Sequence, residues 1–169
     1  LKKYKFRSRS QVSKMKQILI LTSNLRHDLK LNREIKDLVN VIKRSTNQSQ
    51  FEIKFELAPP PKKLPDLFLE HEPRIVHFGG LGTREEGLMF QNSAGEEQLV
   101  SPDTLSSLFA EFENKIECVL LDGSYSEDQV KAIAQHINYV IVINHDIRDN
   151  TAIDFVIGFY HALSWGKSI

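Results

Sequence analysis

The sequence predicts a three-layer α/β sandwich with a mostly parallel central sheet and helices on both of its faces. Three observations carry this. Short apolar runs rich in β-branched residues recur along the 169 residues, each with the length of a buried strand. Between them lie segments whose apolar residues return every three or four positions, the period of a helix with one buried stripe. Each of those segments is long enough to carry the chain back to a parallel neighbour, which a tight hairpin cannot do.

Taken in order, Gln17 to Ser23 (QILILTS) reads as a strand buried on both faces. A helix follows over Asp28 to Ser45, where Leu31, Ile35, Leu38, Val39 and Ile42 form the buried stripe. Phe51 to Ala58 alternates Phe51, Ile53, Phe55 and Leu57 with Glu52, Lys54 and Glu56, so this strand has one wet face and belongs near a sheet edge. Pro59, Pro60 and Pro61 end it, because proline has no N–H for a continuing ladder. A short helix is expected around Lys63 to His71, and Arg74 to Gly80 (RIVHFGG) is a third buried strand running into a glycine-rich turn. Leu88 to Val100 reads as a small inserted hairpin across Asn92 to Gly95. Ser101, Pro102 and Asp103 supply a polar cap, a proline at the first helical position and a carboxylate near the positive helix end, for a helix running to about Lys115. Ile116 to Leu121 is the fourth strand, Ser126 to Ile137 a helix opened by Ser-x-x-Gln cap chemistry, and Tyr139 to Asn144 the fifth strand. Thr151 to Trp165 is a final apolar helix.

Composition narrows the function classes. The chain is 41% apolar and 26% charged, as ordinary globular domains are. It contains no run of roughly 18 to 20 apolar residues, the length a membrane span needs. No apolar signal-peptide run follows the basic N-terminus. The single cysteine, Cys118, cannot close an internal disulfide or assemble a structural zinc site, so no metal or other cofactor is expected and a reducing, cytoplasmic setting fits best. The overall charge is neutral but unevenly placed. Residues 1 to 16 carry seven basic side chains and no acidic one, leaving 15 basic against 22 acidic residues in the remainder. The segment 1–16 is read as a basic linker or tail and 17–169 as the α/β domain. Because the chain opens on Leu1, the tail is expected to join it to a preceding domain of a larger multidomain protein. A tail of this charge could also contact nucleic acid or an anionic surface, the less favoured reading of seven irregularly spaced charges.

In open parallel sheets, reacting groups gather beyond the carboxyl ends of the strands. Three segments of unusual composition end there: Phe78-Gly79-Gly80-Leu81-Gly82, Leu121-Asp122-Gly123-Ser124-Tyr125-Ser126 and Asn144-His145-Asp146. The first lacks the spacing of a phosphate-binding loop, since it opens onto Thr83 and Arg84 and matches neither G-x-x-x-x-G-K-[ST] nor G-x-G-x-x-G. Its glycines are explained by backbone turns.

With the residues before it, that first segment is Ile75-Val76-His77-Phe78-Gly79-Gly80-Leu81-Gly82. Together with IECVLLDGSYS at 116 to 126, it resembles the prokaryotic caspase-like (CHAT-type) domains of the caspase and metacaspase superfamily. In that family the first motif reads I-V-H-F-S-G-H-G, its second His being the catalytic base, and the second reads C-V-V-L-N-A-C-Y-S, its later Cys being the nucleophile. Further matches at Ile18 to Asn24, Ala132 to His136, Ala152-Ile153 and Gly158 to Leu163 extend the resemblance over residues 17 to 165. The resemblance implies a caspase-like fold. It also places Leu81 at the position of the catalytic His and Ser124 at that of the nucleophilic Cys, with Asp122 and Gly123 replacing Asn and Ala.

Both dyad positions are therefore altered. A serine hydroxyl needs a base within hydrogen-bond reach to become a useful nucleophile, and leucine offers no lone pair. A positioned base contributes about 10² to 10⁴ in rate. Cys118 lies inside its strand and reads as a small buried hydrophobe, and His77 as a core histidine. A catalytically inactive caspase-like domain follows, an interaction or regulatory module of the kind such domains form in bacterial signalling, cell-death and defence proteins. Its expected cleft is lined by His77, Gly80, Leu81, Asp122, Gly123, Ser124 and His145, and its acidic body would favour a basic peptide or protein partner. The rival enzymatic reading is a hydrolase using Ser124 with His145 as a rewired base, oriented by Asp122 or Asp146, although Gly-Ser-Tyr-Ser-Glu lacks the full G-x-S-x-G elbow.

Overall fold

In the computed structural model, residues 15–22, 29–45, 50–81, 88–91, 96–123, 125–143 and 149–169 are described. The chain runs β1 (Lys16–Thr22), α1 (Leu29–Lys43), β2 (Phe51–Leu57), α2 (Leu64–His71), β3 (Ile75–Leu81), β4 (Met89–Gln91), β5 (Glu97–Leu99), α3 (Pro102–Ala110), β6 (Cys118–Gly123), α4 (Glu127–Ala134), β7 (Tyr139–Ile143) and α5 (Asp149–Ser164). Five strands form one sheet in the order β2-β1-β3-β6-β7. Each neighbouring pair is parallel. The expected mostly parallel α/β sandwich is the observed architecture, and β2, with its alternating charges, is an edge strand as its pattern required.

Two apolar layers hold the sheet between helices. Leu19, Leu21, Val76, Phe78, Val119 and Leu121 point to one face, where they meet Leu64 and Phe68 of α2, Leu105 and Phe109 of α3 and Ile133 of α4. Ile18, Ile20, Ile75, Cys118 and Leu120 point to the other, against Leu38 and Ile42 of α1 and Val156, Tyr160 and Leu163 of α5. Strict alternation along β1, β3 and β6 is what lets one apolar run serve both layers. On the first face Phe68 meets Phe112 edge-on at 5.2 Å, and Phe78 meets Phe90 edge-on at 6.0 Å. Such pairs add about 0.5–1.5 kcal/mol beyond the area they bury.

Phe90 belongs to the hairpin β4–β5, which is a separate two-stranded sheet. The insertion is therefore anchored into the core. Its second fastening is Gln129 of α4, buried at 2% exposure. The Gln129 Oε1 accepts from the Leu88 N–H (2.8 Å) and the Ser126 N–H (3.0 Å), and its Nε2 donates to the Val100 carbonyl (2.6 Å). The Ser126 hydroxyl accepts from the Gln129 N–H at 3.2 Å, completing the capping box that the Ser-x-x-Gln spacing predicted. Ser101 caps α3 in the expected way, its hydroxyl accepting from the Thr104 N–H at 3.2 Å.

The boundaries differ from expectation at several ends. α3 stops at Ala110, and residues 111 to 115 are turns in which the Phe112 N–H donates to Phe109 and the Lys115 N–H to Phe112, i to i−3 bonds that tighten the helix end. α4 likewise stops at Ala134, with the His136 N–H donating to Ile133. β3 and β6 run further than the apolar pattern alone, through Leu81 and Gly123. Among the described residues, no helix is long and apolar enough to cross a membrane.

Candidate functional site

Because the five strands are parallel, all their carboxyl ends emerge at one edge of the sheet. The strand order turns around between β1, which leads outward to β2, and β3, which leads outward to β6 and β7. Ligands bind in α/β sheets at such a switch point. Thr22 and Gly79 pair there, and Thr22 is buried.

One strand along, Gly79 pairs with Asp122, and after an irregularity in the ladder Leu81 pairs with Gly123. That slip sets the end of β3 against the end of β6. Leu81 ends β3 beside the residue that directly precedes Ser124 in the chain. Gly123 holds φ at 156°, a backbone state that L side chains rarely adopt. A residue with a Cβ would be strained at this position. Ser124, His145, Asp146 and the turn residues 92–95 lie outside the described residues, as do residues 1–14 of the basic tail. Gly80 is placed within β3 next to Leu81.

His77 is in β3, paired with Ile20 on one side and Leu120 on the other. It lies four residues before Leu81, about 13 Å back along the strand at the usual rise per residue. The residue is 3% exposed, and its ring stacks on Tyr160 of α5 with centroids 5.9 Å apart. The His77 Nδ1 and the Tyr160 hydroxyl share a hydrogen bond of 3.2 Å. Its Nε2 has no hydrogen-bond partner among the described residues. Burial lowers the His77 pKa to about 4, against the opposing pull of Asp122. The imidazole is therefore neutral at neutral pH. A general base works best with a pKa near the working pH, and a ring this deep and this weakly basic does not meet that requirement.

Asp122 is the buried carboxyl of this edge, 4% exposed. Its charge acts on two neighbours, raising the pKa of His77 and that of Tyr125. For Tyr125 burial is the larger cause, and together they push the phenol up to about 12. Burial also pushes the Cys118 thiol up to about 12, with Glu117 adding to the shift. A thiol held there has a negligible thiolate fraction and is not a nucleophile. Among the described residues, no group of three or more His, Cys, Asp or Glu side chains is placed to hold a metal ion.

The sequence placed His77 and Cys118 in the interior, in agreement with their exposures of 3% and 0%, and put Asp122 in the cleft without indicating its burial; the partner of His77 was not found. Tyr160 is 83 positions from His77, and no local pattern connects them. Gln129 was legible as a cap residue, whereas its hold on the hairpin depends on tertiary structure.

No protein-family model matches the chain. It is similar to a Roc-COR-CHAT protease from an unknown prokaryotic organism, at 23% identity over 109 residues, 61% of this chain. It spans only 10% of that relative's length. This similarity supports a relation to CHAT-type, caspase-like proteins. Among solved structures, the signal receiver domain of the putative response regulator NarL from Mycobacterium tuberculosis aligns at 10% identity with a TM-score of 0.41, covering 90% of this chain and 99% of that one. NAD(P)H:quinone oxidoreductase from Methanothermobacter marburgensis aligns at 9% identity with a TM-score of 0.43, covering 90% and 98%.

Proposed function

We propose that this chain is a CHAT-type caspase-like domain that has lost proteolysis and acts by binding, as an interaction or regulatory module of a bacterial signalling, cell-death or defence protein. The observation that carries this reading is the register of β3 against β6. It sets a leucine, with no proton-accepting atom, beside the strand end that leads into Ser124. The similarity to a CHAT protease supports the ancestry of the site. The burial of His77 and the raised thiol of Cys118 support the loss of chemistry, since neither side chain is equipped to replace a base or nucleophile. The carboxyl edge is the cleft, and the acidic balance of residues 17–169 selects a basic peptide segment as the partner.

The test is a pair of measurements on the same preparation. Lys- and Arg-rich peptides are expected to bind saturably without being cut, and a serine-directed phosphonate is expected to leave the protein unlabelled. Labelling that disappears in Ser124→Ala would overturn the reading in favour of a hydrolase with a rewired base.

A further inference from the structure

The amino edge of the sheet, opposite the carboxyl edge, carries an open cleft of about 360 Å³, and nothing in it depends on how the carboxyl edge is read. That volume suits a small ligand. The cleft lies where β3, β6 and β7 begin, against the turns that follow α2 and α3. The backbone around it is fixed by the sheet. The Arg74 N–H donates to the Gln17 carbonyl at 2.9 Å, the Arg74 carbonyl accepts from the Glu117 N–H at 2.8 Å, and the Glu117 carbonyl accepts from the Tyr139 N–H at 3.2 Å. The Arg74 Nη2 donates to the Glu117 Oε2 at 2.6 Å, which holds the guanidinium in place. Lys115 is held from the turn after α3. Its N–H donates to the Phe112 carbonyl at 2.9 Å, and its Nζ lies 5.9 Å from the centroid of the Phe112 ring. Charged side chains carried on rigid backbone lose little freedom when they take a ligand.

The lining selects the chemistry of the ligand. Glu72, Glu113 and Glu117 line the cleft with Arg74 and Lys115, three carboxylates against two cations. The carboxylates disfavour a phosphate or other simple anion. The cations disfavour a bare metal ion, and among the described residues no group of three or more His, Cys, Asp or Glu is placed to hold one. Met15 and Ile116 are the apolar residues among the described lining, too small a surface for an apolar ligand. A ligand that bears both signs, with one more positive charge than negative, complements this set. Glu72 ends α2 at a φ of 43°, the left-handed state that glycine or asparagine normally takes at a helix end. Strained residues of this kind persist where the side chain has a use. We propose that the cleft binds a free basic α-amino acid, lysine or arginine. Its carboxylate is taken by Lys115 and by the N–H groups of Arg74 that Glu117 leaves open, and its two cationic groups by Glu72 and Glu113.

The experiment is titration of the 169-residue chain with L-arginine and with L-lysine, followed through amide NMR shifts. Saturable shifts of the Lys115, Ile116 and Glu117 amides are expected at millimolar ligand or below. Argininamide, which lacks the carboxylate, and Nα-acetyl-L-arginine, which lacks the α-ammonium, should each bind at least tenfold more weakly, and L-glutamate should leave these amides unmoved. Glu72→Asn suits the left-handed backbone, so it should weaken arginine binding at least tenfold without lowering the melting temperature. That combination separates a ligand contact from a structural role. Lys115→Gln, in an exposed turn, should weaken binding to a similar degree. No saturable shift at these amides with either amino acid, equal affinity for argininamide, or undiminished binding by either variant would overturn the proposal.

Discussion

Substituting His77 by glutamine, which is neutral at every pH and can still hydrogen-bond Tyr160, should remove a pH dependence of stability that the native protein carries. The folded His77 has a pKa of about 4, below the ordinary value of 6.5. Between those values the unfolded chain binds a proton that the folded chain refuses, so stability is highest above the unfolded pKa and is lost as the pH falls toward the folded one. Linkage over this window gives a loss of about 2 kcal/mol between about pH 7 and about pH 5. With a urea m-value of about 2 kcal/mol/M, that is a fall of roughly 1 M in the midpoint. Carboxylates titrate in both proteins, so the difference between the native and His77→Gln curves isolates the histidine. Urea titrations of the two at both pH values provide the assay. Parallel pH profiles would mean instead that His77 titrates in the folded protein much as it does in the unfolded chain, and that burial does not hold it neutral.

Gln129→Leu should loosen the hairpin. It leaves the buried Leu88 N–H and Val100 carbonyl without their partner, for a loss on the order of 3 kcal/mol. Limited proteolysis should then cut first between β4 and β5, and cleavage elsewhere at unchanged stability would contradict the role given to this side chain. Cys118, with its thiol pushed up to about 12 and its side chain fully buried, should react with an aromatic disulfide reagent far more slowly in the folded protein than in denaturant. Rapid stoichiometric reaction of the native protein would show that the thiol is not held as described.

Much of the fold was legible because burial on both faces writes itself into sequence. QILILT, RIVHF and ECVLL are nearly unbroken apolar runs, and each became a strand with helices on either side. The alternation of β2 gave its position at an edge as well as its existence. β7 shows where that logic stops. Its run is as apolar as the interior strands, yet among the described residues it lies at the end of the sheet, and nothing within the run itself distinguishes that place from an interior one. Helix ends were the other weak point, since the i to i−3 bonds that finish α3 and α4 depend on the packing of Phe112 and Ile133 rather than on a stop signal in the sequence.

The candidate site was legible as a set of residue types and not as a geometry. The glycines, Leu81 and Asp122-Gly123 could be assigned to strand ends. The slip between Gly79 and Leu81 that sets Leu81 against Gly123 could not, because a ladder irregularity has no sequence signature here. The same holds for the hydrogen bond of His77 to Tyr160, whereas the burial that keeps the ring neutral matches the core position read for this histidine from its place in the strand.

The most direct test of a lost active site compares the native protein with the double variant Leu81→His, Ser124→Cys on a pooled fluorogenic peptide library, at matched concentration and with both proteins shown to be folded. No cleavage is expected from the native chain and measurable turnover from the double variant, whose preferred sequences would describe the ligand of the native cleft. Cleavage by the native protein that is abolished by Ser124→Ala would contradict it.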